Sequence, residues 1–371
     1  MTDEATPGVG GDGEHVRTDG HGLASDRIRT DGSGAAIEAT GVELTYADGT
    51  EAVKGIDLTV PEGEFFGFLG PNGAGKTTTI KTFATLLSPT GGSITVNGHD
   101  VRSDAQRVRE TIGYMAQETS VDQELTAQEN IRFAAQAYGV PKADRSDRID
   151  ELLDLVDLAD VADKQAGEFS GGMKKRLDAA TALVHQPPLV FLDEPTTGLD
   201  PKARNRLWEY FERINERGTT LFLTTQYLEE ADQLCDRISV ILDGDIVATG
   251  SPMELKRRVG GEILDVEVPD GAEARERAAE IARTGDVFDA DSDVSVTDDG
   301  ISVTDERARE HGTDLLVALR DAGITVTGFN IRAPTLDDVF LAITGEELDE
   351  AAATGDRTDG TLAAQPGVSV E

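Results

Sequence analysis

The chain has 371 residues, room for one large α/β body and a smaller second one at the usual roughly 100 to 200 residues per domain. Asp plus Glu number 71 against 34 Lys plus Arg, a net charge of −37, and a field that negative repels nucleic-acid phosphates and anionic membrane surfaces where no long basic patch overrides it. Only nine of the basic residues are Lys, and an acidic excess with sparse Lys suits a protein whose self-repulsion is screened by salt, so a high-salt cytoplasm is expected.

Residues 1–34 are rich in Gly, Asp, Thr and Arg, and residues 346–371 are similar. The tetrapeptide RTDG recurs at 17–20, 29–32 and 357–360. Such segments bury too little apolar surface to offset their ordering entropy, so both are expected to be disordered tails. No apolar stretch near the start reads as a signal peptide, and no window approaches the roughly 18 apolar residues of a membrane span. Any membrane role would come through a partner.

From 35 to 251, apolar runs alternate with helical patterns, the mark of a mostly parallel sheet covered by helices. Glu64–Leu69 is a buried-strand run followed by Gly70, Pro71, Asn72, Gly73, Ala74, Gly75, Lys76 and Thr77, and then by a helix-forming stretch, Thr78 to Leu87. This is the P-loop pattern in its strand-loop-helix context. Its glycines let backbone N–H groups converge on phosphate and the new helix aims its positive end there. Lys76 is expected to reach the β- and γ-phosphates, and Thr77 to hold Mg²⁺.

Residues 119–168 carry helix-period apolar positions over 128–138 and 147–162 without a strand, and read as an inserted helical subdomain. Phe169-Ser-Gly-Gly-Met-Lys-Lys-Arg176 then precedes a helical run. Ser170 reads as an N-cap, while Gly171 and Gly172 free backbone amides at a helix start, a second anion site. A further strand, Pro188 to Leu192, ends in Asp193-Glu194-Pro195. Alone, that tripeptide is a strand-ending turn. Beside a P-loop it delivers two carboxylates to the edge of a parallel sheet, with Asp193 placed for Mg²⁺ and Glu194 for the attacking water.

Cys235 cannot form an internal disulfide and reads as a core residue on an amphipathic helix. None of the five His makes a metal-like constellation, and no Ser/His/Asp grouping occurs. Metal chemistry is therefore expected only from Mg²⁺ brought with the nucleotide that the P-loop pattern implies. After Pro252 a short helix (253–259) and Gly260-Gly261 form a linker into a small α+β unit, residues 252–345. Its pattern reads strand (263–268), helix (272–284), strands near 286–290 and over 294–304, helix (306–322), strand (324–332) and helix (335–344), an order compatible with a ferredoxin-like unit.

The order GPNGAGKT, Gln117 in Tyr114-Met-Ala-Gln-Glu, FSGGM, LVFLDEP and Thr196-Thr-Gly-Leu-Asp200 resembles the nucleotide-binding domain of ABC transporters over about residues 36–250. FSGGM departs from the usual LSGGQ in two places, and both departures resemble drug exporters of the daunorubicin-resistance type. Arg332-Ala-Pro-Thr-Leu-Asp-Asp-Val-Phe-Leu-Ala342 is similar to the C-terminal domain of those exporters' ATPase subunits. The resemblance implies an α/β P-loop NTPase fold with a helical subdomain and a C-terminal α+β domain.

It also implies a head-to-tail homodimer holding two ATP molecules. Lys76, Thr77, Thr78, Asp193 and Glu194 of one chain would face Ser170, Gly171 and Gly172 of the other. Tyr46 matches the adenine-stacking aromatic, Gln117 the sensor of γ-phosphate and Mg²⁺, and Asp200 the dimer seam. Gln226 stands where most relatives carry a switch histidine. An amide can still hydrogen-bond the γ-phosphate but cannot carry charge.

The expected function is ATP hydrolysis on the cytoplasmic face of the membrane. It would drive a separate transmembrane permease to export an amphiphilic compound, a drug or a lipid. A soluble ABC ATPase acting on nucleic acid or ribosomes is the alternative. Against it stand the negative charge, the single cassette and the 93 residues between Lys76 and Ser170, too few for a long coiled coil. Retention of Lys76, Asp193 and Glu194 argues against a dead regulatory cassette.

Overall fold

The structure, a computed structural model, describes residues 34–284, 287–288 and 292–344. Apart from Gly34, the two tails therefore lie outside the described residues. Strands β1 (Ala35–Thr45) and β2 (Glu51–Pro61) form an antiparallel ribbon whose buried positions alternate along each strand. Strand β3 (Phe65–Leu69), buried throughout, leads into helix α1 (Lys76–Phe83). There follow β4 (Gly91–Val96), β5 (His99–Asp100), α2 (Ala105–Thr111) and β6 (Ile112–Met115).

The expected helical region contains α3 (Ala127–Ala137), closed by a Thr126/Glu129 capping box, and α4 (Arg145–Leu155). Two short 3₁₀ turns follow, Ala159–Val161 and Ala166–Glu168. The helix expected over 147–162 thus starts earlier and stops at Leu155. Asp157 takes a left-handed φ of 47°, and the Arg176 guanidinium draws off the carbonyls of Val156 and Asp157 at 3.0 and 3.4 Å. A buried cation that satisfies the terminal carbonyls ends the helix where periodicity alone would continue it.

The body then runs through α5 (Gly171–Ala182), β7 (Leu189–Asp193), α6 (Pro201–Asn215), β8 (Thr220–Thr225), α7 (Leu228–Leu234), β9 (Arg237–Leu242), β10 (Asp245–Gly250) and α8 (Pro252–Arg258). Its main sheet has the order β10-β9-β3-β8-β7-β6, parallel except for β10. The second sheet, β2-β1-β4-β5, shares an apolar cluster with one face of the first. Phe222 sits inside that cluster with its ring 5.4 to 5.7 Å from those of Phe66, Phe68, Phe83 and Phe191. Aromatic pairs of this kind add about 0.5–1.5 kcal/mol each beyond the area they bury. Cys235 is buried as expected, its sulfur against Gly67, where a Cβ would approach within 2.7 Å.

The remaining elements are β11 (Glu262–Glu267), α9 (Ala272–Thr284), β12 (Asp293–Val296), β13 (Gly300–Asp305), α10 (Ala308–Asp321), β14 (Gly328–Arg332) and α11 (Leu336–Thr344). The strand order β12-β13-β11-β14, antiparallel throughout, is the ferredoxin-like arrangement. The single strand expected over 294–304 is a hairpin, turned by Thr297 N–H to Gly300 O (3.0 Å) and Gly300 N–H to Thr297 Oγ1 (3.1 Å). The strand expected near 286–290 falls mostly outside the described residues, and Val287 and Phe288, which are described, are not in a strand.

Helix α11 departs from the order of cores that the sequence implies. The ferredoxin-like unit fills its own core with residues such as Leu264, Val303 and Leu315. Leu336, Val339 and Phe340 instead join the larger body's cluster, where α11 packs on α7 and α8. Arg332 fixes its exit angle by gripping Asp338 at 2.6 and 2.9 Å and Asp265 at 2.9 Å. The sole tryptophan, Trp208, lies in the same cluster. Phe340→Ala should therefore destabilise the larger body by about 3 kcal/mol, read as a lower denaturant midpoint of Trp208 fluorescence in the intact chain. An unchanged midpoint would mean that α11 contributes nothing to that core.

A candidate phosphate-binding site

The parallel pairing of β3, β8 and β7 sets three strand ends side by side, with Leu69 opposite Thr225 and Asp193 opposite Thr224. The turn after β3 ends at Gly75 with φ 106°, and a Cβ there would meet the Ala52 carbonyl at 2.4 Å. At Gly70 a Cβ would meet the Ile241 carbonyl at 2.3 Å. Only glycine lets the backbone pass so close. Helix α1 starts without a side-chain cap and without an acidic residue in its first turn. Its leading N–H groups and positive end are thus presented to an anion.

Lys76 is buried in this turn. Its ammonium donates to the carbonyls of Gly70 (2.8 Å) and Pro71 (3.0 Å) and pairs with Glu194 Oε1 at 3.2 Å. Burial pulls the Lys76 pKa down, and the Glu194 carboxylate works against that by favouring the charged form. Asp193, also buried, accepts from the hydroxyls of Thr224 (2.8 Å), Thr77 (3.1 Å) and Tyr114 (3.4 Å). Burial and the nearby Asp193 charge push the Tyr114 phenol upward, so it stays a donor.

Glu194 has a left-handed backbone, φ 46°, held by its N–H bonding Thr224 O at 3.1 Å. Such a conformation costs a non-glycine residue about 1 kcal/mol and turns the side chain from the strand toward Lys76. Gln117 completes the group, its amide donating to Glu194 Oε2 at 3.0 Å.

A cavity of about 370 Å³ opens here, lined by Asn72, Gly73, Gly75, Lys76, Thr77, Thr78, Gln117 and Glu194, with Tyr46 at its rim. Tyr46 is 41% exposed and its hydroxyl lies 2.9 Å from that of Thr78. Gly70, Pro71 and Ala74 belong to the turn without lining the cavity, and Asp193 stands behind Thr77. Gln226, half-buried just past β8, does not line it. Nor do Ser170, Gly171, Gly172 and Asp200.

Those four residues mark two helix starts. The Ser170 hydroxyl accepts from Met173 N–H at 3.3 Å to cap α5, and the Asp200 carboxylate accepts from Ala203 N–H at 3.0 Å to cap α6. Ser170, Gly171 and Asp200 are exposed. Sequence reasoning missed one wall of the cavity, formed by Ala52 and Lys54 of β2 and by Asp243-Gly244 between β9 and β10. Gly244 N–H bonds Ala74 O and Lys54 N–H bonds Gly244 O, each at 3.0 Å. No local motif flags these residues; the fold brings them in.

Among the described residues no group of three or more His, Cys, Asp and Glu could hold a metal. The Thr77 hydroxyl, the Asp193 carboxylate and the Gln117 amide make a sparse oxygen-donor set. That set fits Mg²⁺ arriving with a nucleotide, whose phosphates and waters complete the shell.

Residues 53–197 match the ABC transporter family model, and residues 250–344 that of the ATP-binding protein DrrA1-3-like, C-terminal domain. The chain is 44% identical to the daunorubicin/doxorubicin resistance ATP-binding protein DrrA of Streptomyces peucetius, over 85% of this chain and 94% of the relative. It is 36% identical to the Nod factor export ATP-binding protein I of Burkholderia lata, over 85% and 99%. Among solved structures it is similar to an ATP-binding subunit of an ABC transporter, with TM-score 0.55 and 30% identity over 60% of this chain and 92% of that one. A dimeric ATP-binding cassette bound to ADP and Pi in a post-hydrolysis state has TM-score 0.54 and 27% identity, over 58% and 98%.

Removing the cation tests the turn. Lys76→Ala should weaken ATP binding about 10²- to 10⁴-fold, the worth of two charge-assisted contacts, in a titration of the folded variant. Undiminished affinity would remove the turn from nucleotide binding.

Proposed function

The chain belongs to the ATP-binding subunits of ABC exporters, in the daunorubicin-resistance branch with its extra C-terminal domain, and on that premise we propose a specific division of labour among its residues. One observation carries the proposal. Lys76, Glu194, Asp193 and Thr77 converge at the ends of β3 and β7, whereas Ser170 and Gly171 stand exposed on a helix start away from that cavity. An anion-binding helix start that does not reach its own chain's phosphate turn is suited to a second chain's nucleotide. Two such chains, head to tail, make two complete sites.

In this reading the γ-phosphate draws Lys76 from the carbonyls of Gly70 and Pro71 and from Glu194. The freed Glu194 carboxylate takes the proton of the attacking water. Thr77 and Asp193, with Gln117, would hold Mg²⁺, which when bound would supply neutralisation of charge on the phosphate oxygens. Tyr46 covers the base, and Asp200 lies at the seam between chains. Gln226 approaches the γ-phosphate as a neutral hydrogen-bonding group.

The partner is a membrane-embedded permease, on whose cytoplasmic face the subunit sits. Among the described residues no helix is long and apolar enough to cross a membrane. The cargo is an amphiphilic compound, a reading supported by what the relatives' names say they export or resist. The charge of −37 supports a high-salt cytoplasm. Nothing in the site favours nucleic acid as a partner.

Glu194→Gln should retain ATP and accumulate a stable dimer while hydrolysis falls about 10²- to 10⁴-fold, and Gln226→Ala should slow turnover more mildly. Normal phosphate release by either variant removes that residue from the mechanism. The unfolding midpoint of the wild-type chain should rise from 0.1 to about 2 M KCl as repulsion is screened; a flat profile contradicts the high-salt assignment.

A further inference from the structure

Helix α5 holds three buried charged residues that the reaction just described does not use: Arg176, which ends α4, and two others. Lys175 and Asp178 lie one helical turn apart, on the same face. The Lys175 ammonium donates to the backbone carbonyl of Gln117. The Asp178 carboxylate accepts from both the hydroxyl and the N–H of Ser120, the latter at 3.3 Å. The loop 117–120 is thus held at both ends by one face of α5. From its near end the Gln117 side chain reaches Glu194, and at the N-terminus of α5 stands Ser170.

A purely structural account explains this arrangement poorly. Burying an ammonium and a carboxylate costs several kcal/mol in desolvation, and replacing such pairs by apolar residues is often neutral or stabilising. Burial lowers the Lys175 pKa and raises that of Asp178, each partly offset by the other's charge. The second oxygen of Asp178 makes no hydrogen bond among the described residues, so the pair is not optimised for stability. What the two charges do achieve is geometric. They fix the backbone of a loop whose other anchor is the catalytic carboxylate. Lys175 also lies close enough to Asp193 and Glu194 to feel their charge.

We propose that Lys175 and Asp178 are positioning residues that tie the helix bearing Ser170 to the Gln117 loop of the same chain, setting Gln117 against Glu194. The inference rests on the ATPase reading. Because α5 is a rigid rod, a displacement of Ser170 is carried about 7.5 Å along it to Lys175 and so to Gln117.

The experiment is steady-state ATP hydrolysis by the full chain with Mg²⁺. Lys175→Met should lower kcat about tenfold with KM for ATP within about twofold, and Lys175→Arg should recover most of the loss. Ser120→Ala, a gentle change at an exposed residue, should lower kcat several-fold in the same way, and it decides the matter if Lys175→Met does not fold. In a Gln117→Ala background neither change should cost more, because both act through Gln117. Wild-type kcat in Ser120→Ala and Lys175→Met, or losses that multiply with that of Gln117→Ala, would overturn the proposal. Failure of the wild-type chain to hydrolyse ATP would instead sink the functional reading, a distinguishable result.

Discussion

A buried ammonium facing a buried carboxylate organises this molecule. Lys76 and Glu194 are 118 positions apart in sequence (194 − 76) and 3.2 Å apart in space. Either alone would cost several kcal/mol in that environment, the penalty of an unpaired buried charge. In the proposed mechanism their pairing is what a triphosphate would exchange: an anion that outcompetes Glu194 for Lys76 would gain a cation and release a base in one event, linking binding to activation by electrostatics.

The rest of the fold serves that meeting. Parallel pairing of β3, β8 and β7 delivers the phosphate turn, the two carboxylates and Gln226 to one edge, as open parallel sheets do. Thr224 on β8 acts from beneath: its hydroxyl holds Asp193 and its carbonyl takes the N–H of the strained Glu194. The aromatic packing around Phe222, two residues earlier on the same face, stiffens that strand. Helix α11 braces α7, which begins two residues after Gln226. The C-terminal unit is thus mechanically attached to the edge where the chemistry sits.

Much of this was legible in the sequence because its signals are local. A glycine-rich turn between a strand and a helix, an apolar strand ending in two acids, and a serine cap before two glycines each carry their own physical reason. The order of those signals carried the family. What stayed hidden depends on contacts distant in the chain. Arg176 ends α4 by capturing carbonyls some twenty residues earlier, and nothing in the period of 147–162 announces it. Ala52 and Gly244 reach the cavity only because β2 and the β9–β10 turn fold over it. The apolar face of α11 was plain in sequence, whereas the core it would join was not, since both cores offer apolar surface. The left-handed Glu194 was equally silent, because the backbone strain is imposed by Thr224.

The claim on which the account turns is that each nucleotide site is shared between chains. Mixing two variants in a Glu194→Gln background tests it directly. One carries Lys76→Ala and an intact Ser170; the other carries Ser170→Arg and an intact Lys76. Sedimentation with Mg²⁺ and ATP should find each variant monomeric alone and the mixture dimeric, with one ATP per pair of chains. A mixture that stays monomeric, or a Ser170→Arg chain that dimerises unaided, would contradict the shared site.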